Sequence, residues 1–185
     1  MNVVKIVHNS RIYGPGARTV IWFQGCSIRC QGCINPDLIP FMKREEISTK
    51  NLVKEVKNSK VTLLGGEPLD QEDIYDFLIE LKKHNIGVVL FTGYEWNDLT
   101  EFQQSVICET CQFAVLGPFD KNRVNPSLYL RGSDNQEIRM FDKSIVFNEE
   151  VESYEIIIDD SIEIRGRVDK NIFDILENDK RELNK

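Results

Sequence analysis

Apolar positions along this chain alternate between two patterns. Thr19-Val20-Ile21-Trp22-Phe23, Val61-Thr62-Leu63-Leu64, Ile86 to Phe91 and Phe113 to Leu116 are short, continuous, β-rich runs. Such runs read as strands buried on both faces, as in a parallel sheet. Between them apolar residues recur at helical spacing. Leu52, Val53 and Val56 follow a cap at Ser48 or Thr49, in a helix reaching about Asn58. Ile74, Phe77, Leu78 and Leu81 follow a cap at Asp70 and stop at Asn85. Leu99, Phe102 and Val106 predict a third helix from about Asn97 to Val106. Connections of this length suit parallel strands with right-handed crossovers.

The flanks differ. Val3 to Val7 is a first or edge strand, and Gly14-Pro15-Gly16 breaks it with a turn or a close backbone approach. Lys43 to Glu46 reads as a solvated charge run, and Leu128 to Gln136 as a loop. Ser144 to Phe147 and Tyr154 to Ile158 read as strands. Asp159-Asp160 turns the latter into Ile162-Glu163-Ile164 as a hairpin, and Lys170 to Lys185 reads as a helix. The fold class is α/β. There are too few βα units for eight, so the expectation is a partial, open (β/α) barrel with mostly parallel strands, a C-terminal β-hairpin and a helix. One domain is expected over residues 1–185, with its core at 17–120 and an extension at 121–185. In a β/α barrel the site lies at the C-terminal ends of the strands. Here each continuous strand ends in a glycine-bearing loop.

Composition narrows the function. The 185 residues are 41 % hydrophobic and 29 % charged, as in a globular domain. A net charge of −7 argues against binding a nucleic-acid backbone. No apolar run has the length of a membrane span, and the N-terminus does not resemble a signal peptide. Five cysteines, an odd number, read as reduced thiols in the cytoplasm.

Three of those cysteines stand in Gly-Cys-Ser-Ile-Arg-Cys-Gln-Gly-Cys-Ile-Asn, Gly25 to Asn35. Cys26, Cys30 and Cys33 can grip one soft metal centre from one side and leave a position vacant. On the cysteines alone, structural zinc, an electron-transfer cluster and unrelated thiols remain open. Gly65-Gly66-Glu67-Pro68 follows a strand, where glycines allow a ligand to approach the backbone.

The cysteine spacing together with Gly65-Gly66-Glu67-Pro68 resembles the radical S-adenosylmethionine superfamily. The resemblance implies a 4Fe-4S cluster on Cys26, Cys30 and Cys33, with S-adenosyl-L-methionine on the fourth iron. It places the methionine moiety at Gly65, Gly66 and Glu67, and the adenosine near Gly32, Ile34 and Asn35, with Cys33 and Thr92 also at the cofactor. No catalytic side chain is implied beyond cluster and cofactor. Many members carry an aromatic where Gly32 stands. One branch, the anaerobic ribonucleotide reductase activating proteins, resembles nearly the whole chain. Its pattern is met in Gly14-Pro15-Gly16-Ala17-Arg18, the cysteine loop, Thr92-Gly93-Tyr94, Gly117-Pro118-Phe119 and Arg131-Gly132-Ser133-Asp134-Asn135-Gln136. This branch implies a glycyl radical subunit, the anaerobic ribonucleoside-triphosphate reductase large subunit, as partner, and an electron donor such as a flavodoxin. The alternatives are a radical enzyme for a small metabolite or peptide, similar to 7-carboxy-7-deazaguanine synthase, and a non-catalytic zinc or iron–sulfur module.

Leu116 and Tyr13 stand where the branch often has acidic residues, and Cys108 with Cys111 forms a pair foreign to it. That pair reads as small core residues, and His8 and His84 as surface or capping residues. Arg131 to Gln136 is read equally as a surface loop and as a segment reaching the adenosyl group or the partner.

Overall fold

The computed structural model describes residues 1–57, 59–146, 154–158 and 162–166. In chain order the strands and α-helices are β1 (Asn2–Ser10), β2 (Arg18–Phe23), β3 (Glu45–Glu46), α1 (Thr49–Val56), β4 (Lys60–Gly65), α2 (Ile74–Lys83), β5 (Val88–Phe91), α3 (Glu101–Thr110), β6 (Cys111–Leu116), β7 (Glu137–Met140), β8 (Tyr154–Ile158) and β9 (Ile162–Gly166). The first seven strands form one open sheet in the order β3-β1-β2-β4-β5-β6-β7. β2, β4, β5 and β6 run parallel, with Thr19 beside Val61, Leu63 beside Leu90 and Leu90 beside Ala114. Antiparallel β1 and β7 flank them, and β8 pairs with β9 as a separate hairpin. The result is a mixed α/β fold with a parallel centre.

Continuous apolar runs form these central strands because both faces are covered. Ile21, Phe23, Leu63, Leu90, Ala114 and Leu116 pack with Leu52, Phe77, Leu78 and Ile107 of the three helices. Val89, Phe113 and Val115 meet Leu130, Ile138 and Met140. Ser48 caps α1 through the Asn51 N–H, as its position before the apolar spacing predicts. At the end of α2, Asn85 adopts φ +54°, and Ile86 N–H donates to Leu81 O, a C-terminal stop that tolerates asparagine.

Several expectations are corrected. Asp70 does not cap α2: the cap position is Asp73, and Asp70 ends a short 3-10 turn, Pro68–Asp70. α3 begins four residues late, because Trp96–Asp98 forms its own turn and Thr100 with Gln103 makes a reciprocal cap. Phe102 is 62 % exposed rather than inward, with its ring in edge contact with Tyr75. Val3 to Val7 lies in the first strand, as expected, and the two-residue β3, formed within the charge run, covers it only at Asn2 and Val3. Residues 144–146 are not a strand, whereas Glu137–Met140 is. Phe147, the Asp159-Asp160 turn and the Lys170–Lys185 helix lie outside the described residues.

Candidate metal centre

β2 delivers the chain into the cysteine loop at the C-terminal end of the parallel strands. The neck of that loop is closed twice: Gly25 N–H donates to Leu38 O at 2.9 Å, and Cys26 N–H to Ile39 O at 3.0 Å. Buried Gln24 holds the far side, donating from Nε2 to Asp37 O at 3.1 Å and Pro40 O at 2.7 Å. Nothing in the sequence pattern marks Gln24 for this work.

Each cysteine has a separate support. Backbone N–H groups of Arg29 and Ile28 reach the Cys26 sulfur, and the Phe119 N–H reaches that of Cys30. Asn35 N–H approaches the Cys33 sulfur at 3.4 Å. Burial pushes the Cys26 and Cys30 thiols up against these donors, and the charges of Glu67 and Asp70 add to the rise at Cys26. A cationic metal centre offsets that penalty, so the donor set fits a metal better than it fits free thiolates. Among the described residues no three His, Cys, Asp or Glu side chains converge on one ion. Three thiols on one loop are a donor set that suits an iron–sulfur cluster.

Cys108 and Cys111 stand elsewhere. Cys111 opens β6, whereas Cys26 follows β2. Those strands are both in the parallel set, so the pair lies at the opposite end, roughly one strand length of 17–20 Å away. Cys111 is buried and its thiol is pushed up to about 12 by that burial, as suits a small core residue. Cys108 is exposed. His8 is a surface residue bonded to Thr19 and Glu55, and His84 caps the end of α2.

Gly65-Gly66-Glu67-Pro68 adjoins the cysteine loop and packs directly against its neck. A Cβ on Gly66 would sit 2.1 Å from Gly25 O, and one on Gly65, at φ +125°, 2.4 Å from Phe23 N. The space a side chain would take is filled by the protein's own backbone. The glycines let β4 seat the neck of the cysteine loop, and Glu67 N–H donates to Gly25 O at 2.8 Å. The Glu67 side chain is 1 % exposed. Its Oε1 accepts the Leu69 N–H at 3.0 Å and the Thr92 hydroxyl at 2.8 Å, and its Oε2 accepts the Gly93 N–H at 2.7 Å. Glu67 and Thr92 thus tie the loop after β4 to the loop after β5. Burial pushes the Glu67 carboxyl up to about 7 against those three donors.

The loop after β6 completes the rim. Gln136 Nε2 donates to Gly117 O at 3.0 Å and Asn135 Nδ2 to Pro118 O at 2.7 Å, while Gln136 Oε1 accepts the Gly132 N–H at 2.7 Å. Arg131 to Gln136 is thereby a clamp on Gly117-Pro118-Phe119, whose Phe119 supports Cys30. The Gly14-Pro15-Gly16-Ala17-Arg18 motif is absent from this rim: Arg18 begins β2, so the motif lies at the other end of the strands. Ile34 is 76 % exposed, and Gly32 is also exposed.

A parallel α/β sheet bearing three cysteines, and no fourth, on its C-terminal rim defines a protein of the single-cluster iron–sulfur class. A family model described as 4Fe-4S single cluster domain matches residues 12–139. The anaerobic ribonucleoside-triphosphate reductase-activating protein of Enterobacteria phage T4 is 30 % identical, over 75 % of this chain and 93 % of that one. Its namesake from Haemophilus influenzae is 27 % identical, over 76 % of this chain and 99 % of that one. The pyruvate formate-lyase-activating enzyme of Clostridium pasteurianum is 36 % identical over 48 % of this chain and 42 % of that one. The chain belongs to the 4Fe-4S single cluster domain family and, within it, to the radical S-adenosylmethionine branch that holds these activating proteins. It is an enzyme of the glycyl radical activase class. Among the described residues no helix is long and apolar enough to cross a membrane.

Proposed function

We propose that this protein installs a glycyl radical on the large subunit of an anaerobic ribonucleoside-triphosphate reductase. The observation that carries the reading is the rim itself: Cys26, Cys30 and Cys33 are supported one by one, and the other two cysteines lie a strand length away. Cys26, Cys30 and Cys33 hold the 4Fe-4S cluster, and its fourth iron takes S-adenosyl-L-methionine. Bound there, cluster and cofactor would together supply radical chemistry able to remove a hydrogen atom from a target glycine.

The chain's own residues bind and orient. The backbone of Gly65, Gly66 and Glu67 receives the methionine ammonium. The buried Glu67 carboxyl, with Thr92, holds that backbone in place, since its oxygens accept from Leu69, Thr92 and Gly93. Gly32, Ile34 and Asn35 border the adenosine on the exposed side of the loop. We read the open sheet as a partial barrel of the radical S-adenosylmethionine type, in one domain over residues 1–185. An open rim leaves room for a protein loop to supply the missing wall. A cytoplasmic one-electron donor, such as a flavodoxin, completes the system.

The test is anaerobic incubation of reconstituted protein with S-adenosylmethionine, reductant and the candidate large subunit. A glycyl radical signal by electron paramagnetic resonance is expected. Cofactor cleavage without that signal would move the reading to a metabolite or peptide substrate. No cleavage at all would overturn it.

A further inference from the structure

Asp70 has no place among the cluster and cofactor residues above, yet it grips the cysteine loop. Its Oδ2 accepts the Ser27 backbone N–H at 2.6 Å. Its Oδ1 accepts the Ser27 hydroxyl at 3.0 Å and the Tyr94 hydroxyl at 2.9 Å. The two hydroxyl oxygens are themselves 3.0 Å apart. Ser27 follows Cys26 directly, and Tyr94 lies in the loop after β5. One carboxylate thus joins three strand-end loops next to the first cysteine. Three donors converge on this one carboxyl group, a fuller set of partners than a side chain on a solvated turn collects.

Two ordinary roles do not fit. Asp70 is not the cap of α2, whose cap position is Asp73. Nor, among the described residues, is it half of a surface ion pair: its partners are two hydroxyls and a backbone N–H.

We infer that Asp70 is a positioning residue for the cluster: it fixes the Cys26 side of the loop, and its charge holds the reduction potential down. The inference rests on the reading that Cys26 is a cluster ligand. A fixed anion beside the cluster opposes the arrival of another electron, and net charge and hydrogen bonding around the sulfurs set the potential of such centres. A low potential is what a centre must have to reduce a sulfonium.

The experiment compares wild type, Asp70→Asn, Asp70→Ala and Tyr94→Phe after anaerobic reconstitution. It reads iron and sulfide content, the rate of iron release to a chelator, and the midpoint potential. Asp70→Asn keeps the shape and loses the charge. It is expected to retain the cluster, to show a raised potential, and to release iron roughly tenfold faster, the scale of one charge-assisted bond. Asp70→Ala releases iron faster still. Tyr94→Phe keeps the charge, so it speeds release by less and leaves the potential in place. Asp70→Asn with wild-type potential and release would overturn the inference while leaving the cluster reading intact. A wild-type protein that holds no iron and sulfide would remove the reading and the inference together.

Discussion

The two ends of the four parallel strands are built from similar-looking motifs and do opposite things. At the C-terminal end a glycine pair, a buried carboxylate and a cysteine loop meet. At the N-terminal end Gly14-Pro15-Gly16-Ala17-Arg18 closes the sheet. Arg18 is 1 % exposed. It donates to Pro15 O, Val61 O, Gly87 O and Gln112 Oε1 at 3.0, 3.1, 3.2 and 3.0 Å. It therefore links the starts of β2, β4, β5 and β6 through one guanidinium. Burial pulls its pKa down to about 10. Gly14, at φ +142°, is required there because a Cβ would meet Arg18 Cδ at 2.9 Å. The N-terminal end spends its charge on the protein's own carbonyls. The C-terminal end carries three partly exposed cysteines. A motif shared with a family thus marks a staple at one end and a site at the other, and the difference lies in whether its polar groups are already used.

The largest expected effect breaks the C-terminal end alone. Replacing Cys26, Cys30 or Cys33 by Ala abolishes cluster retention and S-adenosylmethionine cleavage, while the fold persists by circular dichroism. A variant that keeps full iron and sulfide would show that its cysteine is not a ligand.

Arg18→Met breaks the other end. It leaves four acceptors without their donor and lowers stability by roughly 3 kcal/mol, read from urea unfolding. The folded fraction should still bind iron and sulfide at the wild-type ratio per folded chain. Loss of cluster from folded protein would mean that the two ends are not separable.

Glu67 sharpens the comparison through pH. Its folded value, about 7, lies above the ordinary 4.5, so the folded state holds the extra proton between them. Stability conferred by that proton is full below the lower value and is lost as pH rises through the higher one. The loss is about 3 kcal/mol in chain without its cluster. Glu67→Gln should flatten this slope in urea unfolding at about pH 5 and about pH 7.5. An unchanged slope would place the titration on another group.

Cys108→Ser is expected to do least. It lies on the N-terminal side and is exposed, so stability should stay within about 0.5 kcal/mol, with the brown chromophore intact. A bleached protein would make the pair a ligand after all.

Much of this contrast was legible in residue order. Continuous apolar runs gave the parallel strands, because burial on both faces leaves no polar alternation. Ser48 and Asn85 marked helix ends through chemistry that few other positions need. The cysteine spacing marked the loop that the fold carries to the C-terminal rim. What stayed hidden depends on distance along the chain. Asp70 stands where an N-cap would stand, and only the fold shows that its carboxyl bonds Ser27 and Tyr94 while Asp73 takes the cap position. The Gly65-Gly66 pair reads as a place for a ligand to approach the backbone, and only the fold shows that it also seats Gly25 O. β7 is four residues long, and only Ile138 and Met140 face apolar neighbours, too short an alternation to separate from loop. β3 is exposed on both residues and pairs only through its backbone, which side-chain patterning does not record. Asn135 and Gln136 are polar enough for a surface loop, and their carbonyl partners lie 17 and 19 residues back.

The central claim is that three side chains hold the cluster and leave its fourth iron open. The most direct test is electron paramagnetic resonance of the reduced, anaerobically reconstituted protein before and after adding S-adenosylmethionine. The account predicts about four irons and four sulfides per chain and a signal that changes on addition. One zinc per chain without sulfide, or a cluster signal indifferent to S-adenosylmethionine, would contradict it.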